Sequence, residues 1–163
     1  MLKRIREDLS KIKGSEEFKE FIELNPESYL CSCFLFNEAN DLWQFDFYNK
    51  TNKKITSFLV TDKIEKSDED EVFRKDKEDL TELKLDDIKI DLDKAFEIFE
   101  TRNKEKYENE EAEKKIVILQ FYKSLIWNIT YITKRFNVLN IKIDAIKGSI
   151  MEESKKGVMN FKV

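Results

Sequence analysis

The stretches Leu42-Trp-Gln-Phe-Asp-Phe-Tyr48 and Ile126-Trp-Asn-Ile-Thr-Tyr-Ile132 decide the fold. In each, a tryptophan opens an alternation of apolar and polar residues with period two, which predicts a strand buried on one face and exposed on the other. Trp43, Phe45 and Phe47 share a face, opposite Gln44, Asp46 and Tyr48. Trp127, Ile129 and Tyr131 share the equivalent face of the second run, with Asn128 and Thr130 turned away.

Working outward, the same elements precede and follow both runs. Leu2, Ile5, Leu9 and Ile12 recur at helical spacing, Gly14 is placed to stop that helix, and Ser15 can cap a second one carrying Phe18, Phe21 and Ile22 until Asn25-Pro26. Tyr29–Phe36 reads as a central strand, Asn37–Asp41 as a turn, Asn49–Lys53 as a hairpin connection and Ile55–Val60 as a returning strand. In the second half Leu83, Leu85, Ile88 and Ile90 predict a short extended lead-in. Asp91 can cap a helix with the stripe Leu92, Ala95, Phe96, Phe99, continuing into the charged stretch 102–115. Strands are predicted over 116–122, 126–132 and 136–143, then a turn Asp144-Ala-Ile-Lys-Gly148 and a short strand 149–151. The two tryptophans lie 84 positions apart, which at this period points to a duplicated unit and not a solenoid.

The expected fold is therefore α+β, with two similar helix-plus-antiparallel-sheet units, as separate lobes or sharing one continuous sheet. Residues 1–62 form the first unit, 63–82 a charged linker or extended edge, 83–152 the second unit and 153–163 a tail. The acidic run Asp68–Glu71 in the linker lacks the glycine and closing glutamate of a calcium loop.

Ile88-Lys-Ile-Asp-Leu-Asp-Lys-Ala-Phe-Glu-Ile-Phe99, Trp127-Asn-Ile-Thr-Tyr131 and Asn140-Ile-Lys-Ile-Asp-Ala-Ile-Lys-Gly-Ser-Ile150 together resemble PepSY-type domains over about residues 85–152. In that family an extended lead-in precedes a helix with an inward alanine, and a Trp-bearing strand precedes a hairpin with an Asp-to-Gly turn. The resemblance implies a helix on a cystatin-like antiparallel sheet, in a family associated with protease propeptides, inhibition and binding. Most such domains are extracytoplasmic. Here the N-terminus Met-Leu-Lys-Arg-Ile-Arg lacks the apolar stretch of about 7–15 residues of a secretory signal, so a cytoplasmic location is expected.

Composition narrows the chemistry. Charged residues make up 39% and apolar ones 40%, including 13 Phe, so the chain has the means to bury a core. Lys plus Arg number 30 against 34 Asp plus Glu, a net charge of −4 with the signs interleaved, which argues against nucleic-acid binding. No stretch is long and apolar enough for a membrane span. With no histidine, the commonest general base and metal ligand is missing, along with every Ser-His or Cys-His pair. Three glycines, at 14, 148 and 157, make no phosphate loop. Cys31 and Cys33 would share one face of a strand as buried small hydrophobes, not as a metal or redox pair. A carboxylate pair such as Asp46 and Asp144 is formally able to hydrolyse, although each has an ordinary role on a solvated face or in a turn.

No cofactor and no enzymatic activity are expected. The leading expectation is a non-enzymatic binding or regulatory protein for a protein or peptide partner, through a sheet face or edge. The alternative is an assembly subunit that pairs with its own copy through the sheet. Trp43, Phe45, Phe47, Trp127, Ile129 and Tyr131 are the candidate binding residues, although aromatic residues at strand spacing more often form core beneath a helix.

Overall fold

The computed structural model describes residues 1–36, 42–72 and 78–160. Helix α1 (Leu2–Lys13) buries Ile5 and Ile12 at helical spacing, and α2 (Glu16–Leu24) buries Phe18 and Phe21. Ser15 joins them: its Oγ accepts from the Phe18 N–H at 3.2 Å and donates to the Ile12 carbonyl at 2.6 Å, satisfying a donor and an acceptor at facing helix ends. Gly14 closes α1 with right-handed angles, so no left-handed cap is involved.

Strands β1 (Ser28–Phe36), β2 (Trp43–Asn49) and β3 (Lys54–Val60) follow, and the predicted turn at 37–41 lies outside the described residues. After α3 (Leu92–Lys106) come β6 (Ala112–Tyr122), β7 (Ser124–Thr133), β8 (Asn137–Asp144) and β9 (Ile150–Gly157). The linker contributes β4 (Ile64–Lys66) and β5 (Asp70–Glu71), both on the outer edge of β3. All strands form one antiparallel sheet in the order β4-β3-β2-β1-β6-β7-β8-β9, so the halves share a single sheet.

The two halves meet where β1 pairs with β6, and their registers correspond. Leu35 pairs with Trp43 and Cys33 with Phe45; 84 residues on, Leu119 pairs with Trp127 and Val117 with Ile129. Phe34 and Ile118, also 84 apart, pair with each other across the seam, so a pseudo-two-fold axis passes through that pair. The third strands lag by one residue: Phe45 pairs with Phe58 and Ile129 with Ile141.

Side chains paired across antiparallel strands point to the same side, so the register assigns the faces. Cys33, Phe45, Leu119, Trp127 and Ile143 share the inner face, which all three helices cover. Phe18 and Phe21 of α2 stack against Phe47 and Phe58 with ring centroids 5.1–6.2 Å apart, and Phe99 of α3 packs on Tyr131 at 4.2 Å.

The described parts of the linker and of the tail pack on the sheet, which their composition does not predict. The linker crosses the sheet end: the Tyr48 hydroxyl, on the outer face, donates to Asp79 at 2.7 Å, and the Tyr29 hydroxyl donates to the Leu80 carbonyl. Leu83, whose N–H donates to the Leu30 carbonyl at 2.7 Å, has already joined the inner core with Leu85 and Ile88. The first five residues of the expected tail, 153–157, are strand, because β9 runs along β8 from Ile150 to Gly157. Its charged side chains do not oppose this, since an edge strand carries charge that blocks further pairing.

Candidate functional site

All six residues expected to line a binding face lie in the core. Trp43, Phe45, Phe47, Trp127, Ile129 and Tyr131 are at most 2% exposed, because the helices cover the face they share. Their polar atoms serve the interior. Trp127 Nε1 donates to the Ile90 carbonyl at 2.7 Å, holding the lead-in that itself bonds to Ala145. The Tyr131 hydroxyl donates to Glu100, and burial together with that carboxylate raises its pKa. Trp43 Nε1 is buried without a hydrogen-bond partner among the described residues.

The opposite face of the sheet carries no helix among the described residues. The register lays its side chains in rows across the strands. One row runs Leu59, Gln44, Phe34, Ile118, Asn128, bounded by Glu65 on β4 and by Lys142 on β8. The next, Phe36, Ile116, Thr130, Asn140, Ser154, carries no charge at all. Ten neighbouring positions without a charged side chain are unexpected in a chain that is 39% charged. Nearly all ten are half-buried, with Phe36 and Ser154 more exposed.

Polar groups on this face are satisfied within it. Asn140 Nδ2 donates to Asn128 Oδ1 at 2.6 Å and to Thr130 Oγ1 at 2.8 Å. Asp46 accepts from Ser32 Oγ at 2.8 Å, Gln44 Nε2 at 2.8 Å and Ser57 Oγ at 2.6 Å. Asn128 and Thr130 are turned outward as expected; Tyr48 is on this side too but is buried by the crossing linker.

Asp46 and Asp144 do not make a catalytic pair. Both face the same side, but β2 and β8 are four strand spacings apart, about 19 Å, whereas paired carboxylates of hydrolases stand roughly 5–9.5 Å apart. Asp144 is also committed to its turn. Burial opposes its ionisation, but the N–H groups of Lys147 and Ile146, at 2.9 and 2.8 Å, and the Ser124 hydroxyl outweigh it and hold the carboxyl below the usual range. Gly148 then takes the left-handed φ of 77° that the turn requires.

The cysteines do not share a face. A bulge between Leu30 and Ser32 shifts the alternation, so Cys33 lies in the inner core while Cys31 borders an outer crevice of about 290 Å³ with Val72 and Leu80. Burial, reinforced by the nearby Asp46, pushes the Cys31 thiol up to about 12 and the Cys33 thiol well above its ordinary value. Since the thiolate is the reactive form, we expect neither thiol to react with iodoacetamide in the native protein and both to react in denaturant. Mass spectrometry after timed labelling checks this; rapid native alkylation of Cys31 would show that its crevice opens.

A second concavity of about 660 Å³ lies on the helix side, lined by residues of α1, α2 and the segment 82–87. Phe18, Leu30, Phe47 and Leu83 line it, together with the Arg6–Asp86 ion pair at 2.8 Å. No helix among the described residues is long and apolar enough to cross a membrane.

Neither a protein-family model nor a curated protein matches the chain. Among solved structures, that of a Clostridium difficile 630 protein described as a "putative lipoprotein (CD1622)" is similar, with a TM-score of 0.55 and 18% identity, covering 86% of this chain and 91% of that one. At this identity the likeness concerns the fold alone: an α+β chain with helices on an antiparallel sheet.

Proposed function

We propose that this protein is a non-enzymatic binding module that receives a protein or peptide partner on the uncovered face of its sheet. The observation that carries this reading is the pair of uncharged cross-strand rows centred on Phe34, Phe36, Ile116 and Ile118. Depletion of charge at the centre of a patch, with charge at its rim, is what distinguishes protein interfaces from ordinary surface. The face is favoured over the edges. At one edge β4 and β5 span only three and two residues, and at the other β9 presents Glu152, Glu153, Lys155 and Lys156, features that blunt strand addition.

The PepSY-like reading of residues 85–152 agrees with a binding role. It is supported by the Asp91-capped helix over the Trp127 strand, and by the β8–β9 hairpin turning from Asp144 to Gly148. Against catalysis stand the separation of Asp46 from Asp144 and the saturation of both carboxylates.

The test is co-purification from native lysate with three baits: the wild type, Ile118→Lys, and the control Leu24→Lys on α2, where the side chain is 82% exposed. Partners held by the wild type and the control but lost with Ile118→Lys support the reading. Identical capture by all three would reject it.

A further inference from the structure

We propose that the outer edge of β9 pairs with the same edge of a second copy of this chain, antiparallel and in one register centred on Ser154. The proposal concerns an edge of the sheet and is independent of the uncovered face.

The strand reads Ile150-Met-Glu-Glu-Ser-Lys-Lys-Gly157 and ends the sheet, so among the described residues its outer side pairs with no strand. Its charges mirror one another with opposite sign about Ser154. A two-fold axis at Ser154, normal to the sheet, therefore sets Glu152 opposite Lys156 of the other copy and Glu153 opposite Lys155 of the other copy, each pair occurring twice. The register with β8 places Glu152 and Lys156 on the outer face, paired with Lys142 and Val138. Glu153 and Lys155 lie on the helix-covered face, paired with Ile141 and Leu139. Opposite charges thus meet on both faces.

Backbone geometry selects the register. The Val158 N–H donates to the Phe136 carbonyl at 2.7 Å, and main-chain groups alternate sides along a strand. Lys156 and Ser154 therefore turn theirs toward β8, while Glu153, Lys155 and Gly157 turn theirs outward. In the register centred on Ser154, Glu153 and Lys155 meet as hydrogen-bonded pairs, each exchanging both N–H···O bonds. An axis on Glu152, Glu153, Lys155 or Lys156 would set that charge directly against its own copy, which is destabilising. An axis between two residues would bring an outward-turned backbone against an inward-turned one and form no ladder.

Charge on an edge strand turns away strands of arbitrary sequence, and here it admits one. Within its own chain Glu152 already pairs with Lys123 and Lys142, Glu153 with Lys106 and Lys155 with Glu110. The matches between copies consequently set specificity, and the main-chain hydrogen bonds supply the affinity, as in other strand additions. One pair of strands buries little area, so the dimer belongs to the weak class below about 1,200 Å².

Sedimentation equilibrium of the full chain, carried to about 500 µM to suit an interface of that class, should show association toward twice the 19.6 kDa mass. Glu152→Lys and Lys156→Glu should each weaken it by about tenfold or more, since each replaces two opposite-charge pairs by two like-charge ones. Mixing the two variant chains should restore it, because opposite charges face each other again in the mixed dimer. Register is read by oxidation. Ser154 would meet its copy as a non-hydrogen-bonded pair with Cα atoms about 4.5 Å apart, within disulfide range. Ser154→Cys should therefore cross-link about tenfold faster than Leu24→Cys, at a site 82% exposed on α2, the native thiols being buried. A monomer throughout, association unmoved by both charge reversals, no recovery on mixing, or Ser154→Cys cross-linking no faster than Leu24→Cys would each overturn the proposal. Association abolished by Ile118→Lys but not by the charge reversals would overturn it too, moving the contact to the sheet face.

Discussion

Trp127→Ala is expected to lower the unfolding free energy by about 3–5 kcal/mol, the range for removing a fully buried aromatic side chain. Two losses combine. The indole is 0% exposed beneath α3, so a cavity remains, and the Ile90 carbonyl loses the N–H that holds the lead-in against the sheet. For a domain with a total stability of about 5–15 kcal/mol this approaches unfolding at body temperature. The two Trp→Phe replacements separate the losses. Trp127→Phe deletes a hydrogen bond and leaves a partly buried acceptor without its donor, whereas Trp43→Phe removes an N–H that has no partner among the described residues. Denaturant midpoints should therefore place Trp127→Phe about 1–2 kcal/mol below Trp43→Phe. Equal midpoints would mean that Trp43 Nε1 finds an acceptor in solution, such as a buried water.

Asn103→Ala should cost about 2–4 kcal/mol, since it strips the partners from both backbone groups of the buried residue Glu110. Asn103 is 0% exposed near the end of α3; its Oδ1 accepts from the Glu110 N–H at 2.9 Å and its Nδ2 donates to the Glu110 carbonyl at 2.9 Å. That clamp shapes the loop into β6, where Glu108 and Asn109 adopt left-handed φ angles of 59° and 53°. It also places the Glu110 carboxylate beside Lys155 at 3.0 Å and Asn137 at 2.9 Å. Burial there opposes ionisation, but these partners outweigh it and hold the carboxyl below its usual range. Thermal melting combined with hydrogen exchange at Glu110 reads the effect: the amide should lose its protection. A cost under about 0.5 kcal/mol, typical of surface sites, would show that the loop holds its shape without the clamp.

Much of the architecture was legible because its signals are local. Alternation at Trp43–Phe47 and Trp127–Tyr131 placed two strands, Ser15 and Asp91 both act as helix caps, and Gly148 occupies the left-handed position of its turn. Other features were illegible for equally physical reasons. The bulge at Cys31 leaves no compositional mark, so alternation assigned both cysteines to one side. The charged residues of β9 read as a solvated tail, because an edge strand and a solvated coil select similar side chains.

The candidate site was the least legible part. Period-two alternation separates two faces of a strand and marks the apolar one, and an aromatic face under a helix has the same sequence pattern as an aromatic face that binds a ligand. By itself the sequence determined the three helices, six of the strands and the turn at Asp144–Gly148, because dihedral preference, capping and side-chain alternation act over a few neighbouring residues. Only the tertiary structure decided that β1 lies beside β6, that the halves share one sheet and that the helices cover the tryptophan face, leaving Phe34 and Ile118 outside. Those choices depend on contacts between residues about 84 positions apart, whose energies exist only once the chain has closed on itself.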